Sequence, residues 1–115
     1  MKDIQCKTRI ILCSPNLDEE SHGFGRGAEL LLLGIKENGS LNNTTKKLGM
    51  AYSKAWRILR QVEQELGVQL VERDGARGSR LTEEGEYWLQ LYQQMVEAAQ
   101  KAAQAVLAAN YPPRE

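Results

Sequence analysis

Apolar residues recur at helical spacing in several separate stretches of this 115-residue chain. Ala28, Leu31, Leu32 and Ile35 form one stripe, which predicts a helix over about residues 26–37, stopped by Asn38-Gly39. A short helix is expected from Asn42, as its N-cap, to Leu48, with Gly49 ending it. Ala55, Leu59, Val62 and Leu66 then fall on one face of a helix over 52–66, closed by Gly67. Two helices joined by a tight connection containing glycine form a helix-turn-helix pattern. Residues 68–73 alternate as a strand does, 74–78 are rich in turn formers, and 79–81 can return as a second strand. A hairpin directly after a helix-turn-helix reads as a wing. Upstream, residues 4–12 mix charged and β-branched positions and predict a short strand, followed by a polar loop.

Thr82 is placed to cap a last helix, with Glu83 and Glu84 in its first turn, where acids favour the positive end of the helix dipole. This helix can run to about Asn110, before Pro112-Pro113. Trp88, Tyr92, Met95, Ala99, Ala102 and Val106 recur along it with steps of four and three, the a/d spacing of a coiled-coil seam. A seam that long exceeds what one small domain can cover, so it predicts a homodimer. Its first turns, around Tyr87, Trp88 and Leu91, are placed to fold back onto their own domain. The expected fold is therefore mainly helical with a small β component: a winged helix-turn-helix over residues 1–81, then a long dimerisation helix over 82–111.

Charge sharpens this picture. Lysine plus arginine and aspartate plus glutamate each number 15, so the net charge is zero and a uniformly basic nucleic-acid binder is excluded. The distribution is far from uniform, however. Between Ser40 and Val62 lie Lys46, Lys47, Lys54, Arg57 and Arg60 with no acid among them, and the hairpin adds Arg73, Arg77 and Arg80. Placing cations on the helix-turn-helix and wing is what phosphate neutralisation requires. Ser53, Lys54 and Arg57 lie off the apolar stripe, toward the N-terminal half of the second helix, the part of a recognition helix that reaches base edges. Arg57 can pair with guanine, and Ser53 with a base or a phosphate. Tyr52, Lys46, Arg60, Arg77 and Arg80 are candidates for phosphate or groove-edge contacts. Trp56, at the stripe edge, is expected to pack against the core.

Other chemistries fit less well. Cys6 and Cys13 do not make a disulfide framework and are expected to be reduced thiols. His22 is the sole histidine, no Ser/His/Asp arrangement can be assembled, and neither a metal site nor a cofactor is expected. Gly23-x-Gly25-x-x-Ala28 is similar to a dinucleotide fingerprint, but no second β-α unit follows. Apolar runs are too short for a signal core or a membrane span, so a cytoplasmic protein is expected, with no enzymatic activity.

From Gly39 onward the sequence resembles the DNA-binding domain of LysR-type regulators. The residues that carry the likeness are Gly39-Ser40-Leu41, Lys47-Leu48-Gly49, Ser53, Arg57, Glu63-x-Glu65-Leu66-Gly67-Val68-x-Leu70, Glu72-Arg73 and Leu81-Thr82-Glu83-x-Gly85. Tyr52-Ser53-Lys54-Ala55-Trp56 is similar to the recognition helix of the ModE branch, the molybdate-responsive regulators. The resemblance implies a transcription regulator that binds duplex DNA as a dimer, with recognition helices in successive major grooves. ModE-type regulators usually continue into molybdate-binding modules. No such domain is expected here, so sensing would fall to an effector-binding partner in trans, or the chain would act constitutively. A rival expectation is a protein-interaction module that pairs with another regulator through the long helix. One departure is Ala51, where such families often open the recognition helix with a serine.

Overall fold

The computed structural model describes residues 3–15, 23–73, 75 and 78–111. Among the described residues, four helices and one hairpin follow in order: α1 (Arg26–Asn38), α2 (Leu41–Leu48), α3 (Tyr52–Leu66), β1 (Val71–Arg73), β2 (Ser79–Leu81) and α4 (Glu83–Asn110). The expected mainly helical fold, with a two-stranded antiparallel hairpin and a long last helix, is the one observed.

The core forms where the stripes meet. Ala28, Leu31, Leu32 and Ile35 of α1 and Ala55, Leu59 and Val62 of α3 are buried together with Leu41, Leu70, Val71 and Leu89. Leu66, expected on the same stripe, is half-buried and packs against this cluster. Phe24 and Tyr92 close the cluster at one end, their ring centroids 4.8 Å apart.

The helix ends show which local chemistry sets them. α2 starts two residues earlier than expected, because its cap is Ser40 rather than Asn42: the Ser40 hydroxyl accepts from the Asn43 amide at 3.0 Å. Serine caps as well as asparagine does, and here it sits directly before the first buried leucine. α3 has Ala51 at its N-cap and no side-chain cap bond, so Ser53 does not substitute for one. Thr82 caps α4 as expected, accepting from the Gly85 amide at 3.0 Å.

Two expected strands differ from the structure. β1 begins at Val71 rather than Val68, because the backbone before it is already committed. The Val68 amide donates back to the Glu63 carbonyl at 3.2 Å, and the Leu70 amide donates to Glu63 Oε2 at 2.8 Å. Residues 4–12 form no strand; Leu12 makes an isolated bridge with Phe24. Side chains of α4 satisfy that segment instead. The Tyr92 hydroxyl donates to the Ile10 carbonyl at 2.7 Å, the Thr8 amide donates to Gln100 Oε1 at 3.0 Å, and Gln100 Nε2 donates to the Cys6 carbonyl. The segment is thereby strapped along α4.

This strap changes the expected seam. Tyr92 is buried at 2% exposure in the chain's own core, so it does not belong to a face open to a second copy. Trp88 is half-buried and also packs on that core. Met95 and Ala99 are half-buried, whereas Ala102 and Val106 are exposed, Val106 at 66%.

Candidate nucleic-acid interface

α3 is amphipathic, and its stripe fixes which residues look outward. Burying Ala55, Leu59 and Val62 leaves Tyr52, Ser53, Lys54, Arg57 and Arg60 exposed. The five residues singled out on this helix thus share its solvent side. Lys46 is exposed in the last turn of α2, next to Lys47, where cations favour the negative end of the helix dipole.

Pairing sorts the cations further. Arg60 Nη1 lies 3.3 Å from Glu63 Oε1, but its side chain stays largely exposed, so solvent screens the pair. On the hairpin, Arg80 pairs with Glu72 at 2.7 Å, directly across the ladder, where register sets the two opposite each other. Arg77 lies outside the described residues. Lys54 and Arg57 make none of the ion pairs found among the described residues.

Two features were not assigned from the sequence. The first is a stack. Arg60 sits over the Trp56 ring at 4.9 Å from its centroid, and Arg73 of β1 at 4.7 Å. Tyr52 meets the same ring edge-on at 6.3 Å. Trp56 therefore does pack against the core, yet it also carries two guanidinium groups and joins α3 to the wing. The Trp56/Arg60 spacing of one helical turn was a readable signal; the approach of Arg73 was not.

The second feature is Glu63, which reads as an ordinary acid at the polar end of α3. It is in fact buried, at 9% exposure. Its Oε2 accepts from the amides of Leu70 at 2.8 Å and Val71 at 3.3 Å, so the end of α3 is pinned to the start of β1. The other strand is anchored too. The Ser79 amide donates to the Gly39 carbonyl at 3.0 Å, beside Gly78 at φ +106°, where an added Cβ would collide with that carbonyl. The wing is thus tied to the turn before α2 and to the end of α3.

The comparisons agree with this geometry. The profile of "Bacterial regulatory helix-turn-helix protein, lysR family" matches residues 22–86. The chain is similar to the DNA-binding domain of CbnR in its complex with DNA, at 27% identity and a TM-score of 0.60, over 73% of this chain and 97% of that one. It is similar at 27% identity and a TM-score of 0.59 to CbnR, a LysR family transcriptional regulator, but spans 29% of that chain. The BenM DNA-binding domain bound to benA site 1 DNA shares the fold at 24% identity and a TM-score of 0.57, over 73% of this chain and 98% of that one. No curated protein matches. The helix-turn-helix, the pinned wing and the profile match over more than half of the chain together place it in the bacterial regulatory helix-turn-helix proteins of the lysR family, as a DNA-binding transcription regulator.

Proposed function

We propose that the chain reads duplex DNA as a homodimer, with Ser53, Lys54 and Arg57 of α3 reaching base edges in the major groove. The observation that carries this reading is the exposed, acid-free outward face of the N-terminal half of α3. CbnR's DNA-binding domain, which shares the fold, has been captured on DNA, and this supports the reading. We infer that Lys46, Tyr52 and the wing arginines Arg77 and Arg80 of this chain meet phosphates or groove edges. Arg60 and Arg73, held on Trp56, add a further phosphate contact.

Dimerisation rests on the distal part of α4. With Tyr92 in the core, the seam reduces to Met95, Ala99, Ala102 and Val106, and the exposure of Val106 leaves apolar surface for a second copy. The stretch 52–56 supports placement in the ModE-like branch, and with it a molybdenum-related target and an effector-binding partner in trans. The activity proposed is binding rather than catalysis, in the cytoplasm. Among the described residues no helix is long and apolar enough to cross a membrane.

The test is anisotropy on an operator-containing duplex with wild type, Lys54→Gln, Arg57→Gln and the double variant. Each lost base-pairing side chain costs about 1–3 kcal/mol. With two such side chains lost from each protomer of the dimer, the double variant should bind at least a hundredfold more weakly with its fold intact. Undiminished binding would refute the assignment of this face. If wild type bound no duplex at all, the protein-interaction reading would take its place.

A further inference from the structure

A cavity of about 830 Å³ opens between the strapped N-terminal segment, the start of α1, the edge of α3 and α4. That volume lies within the range of small-molecule sites, which combine an apolar lining with a few polar groups that fix orientation. Ile10, Ile58 and Val96 supply apolar surface, and Lys7, Arg9, Lys54 and Arg57 bring four cations to the same lining. Two further charges there cancel, since Arg26 lies 2.7 Å from Glu29. The lining therefore carries a net positive charge over apolar ground. It exists because side chains of α4 hold residues 6–10 in place, leaving a space bounded by the strap on one side and α3 on the other.

We propose that this cavity binds a small anionic molecule with an apolar body, and that its occupancy opposes DNA binding. The apolar body would rest on Ile10, Ile58 and Val96, and the anion would face Lys7 and Arg9 on one wall and Lys54 and Arg57 on the other. The second half rests on the reading of α3 as the recognition helix, because the ligand and the duplex draw on the same two cations. Linkage then requires each to weaken the other by the same factor.

The probe is 8-anilino-1-naphthalenesulfonate, an aromatic sulfonate whose emission rises on entering an apolar site. Wild type should bind it saturably, at one molecule per chain. Arg9→Glu reverses a charge on the wall away from α3, and Val96→Trp fills the floor; each should weaken binding at least tenfold, with helical circular dichroism unchanged. If one variant fails to fold, the other still decides. Loss of duplex affinity on adding the probe, matched by loss of probe affinity on adding duplex, supports the coupling. Absent or unsaturable binding overturns the site, as does binding that neither variant weakens. So does binding that disappears as protein concentration rises, because a second copy would then fill the space. The probe-binding readouts of the site need no DNA, so a chain that failed to bind duplex would refute the recognition-helix reading without touching the cavity. Probe binding without mutual weakening would refute the coupling alone.

Discussion

Replacing Glu63 by alanine tests the joint between α3 and the wing. In the folded protein its carboxylate accepts from two backbone amides, a strong bond from Leu70 at 2.8 Å and a longer one from Val71 at 3.3 Å. Leu70 and Val71 are both essentially inaccessible, at 0% and 1% exposure, so water cannot readily replace the lost acceptor. A hydrogen bond to a charged group contributes about 1.5–3 kcal/mol, and a buried donor left unsatisfied costs about 1–3 kcal/mol. Against this stands the relief of burying one carboxylate fewer. The Arg60 partner adds little, since that arginine side chain is 61% exposed and solvent screens the pair. The net loss expected is about 2–3 kcal/mol. With a urea m-value of about 1–3 kcal/mol/M for a small protein, the midpoint should fall by roughly 0.7–3 M. Glu63→Gln keeps one acceptor oxygen and should lose about half as much. Urea unfolding followed by circular dichroism reads both values. A loss below about 0.5 kcal/mol for Glu63→Ala would show that the carboxylate does not satisfy those amides, and the pinned wing would have to be abandoned.

Three more outcomes follow from local geometry. Ala51→Ser should stabilise the protein by about 0.5–2 kcal/mol in the same assay, since it supplies the cap bond that α3 lacks. Gly78→Ala should cost about 1–3 kcal/mol, because φ is +106° and the new Cβ would press on the Gly39 carbonyl. Tyr92 ionises above the usual 10.0, pushed up first by burial and then by Glu29, with Arg26 opposing. Its protonated form is thus favoured by folding, so its contribution is complete below pH 10 and is lost as pH rises through the folded-state value. Tyr92→Phe should lower stability by about 1 kcal/mol at neutral pH, through the lost bond to Ile10, and should flatten the decline above pH 10 measured by chemical denaturation.

The parts of the fold legible in the sequence are those set by local pattern. α3 matches its expected bounds because the stripe from Ala55 to Leu66 and the stop at Gly67 are both local signals. Thr82 and the run that follows it likewise give α4. What escaped depended on distant partners. Residues 4–12 have the composition of a strand, but the backbone groups of Cys6, Thr8 and Ile10 bond to Tyr92 and Gln100, more than eighty positions away. Tyr92 fits a heptad seam by spacing, yet in the fold its ring packs against Phe24 in the core and its hydroxyl bonds to the Ile10 carbonyl. On the interface, exposure of Lys54 and Arg57 followed from the stripe. Arg73 reaching Trp56, and Glu63 capping the entry to β1, depend on how the hairpin packs, which no periodicity encodes.

Sequence-specific DNA reading by α3 is tested most directly by anisotropy with a labelled pool of duplexes, titrated across salt against competitor DNA. Affinity should fall linearly in log–log form as salt rises, with a slope of about −0.9 per phosphate neutralised, and a specific subset should survive competition. Folded protein that binds no duplex even at low salt would contradict that reading.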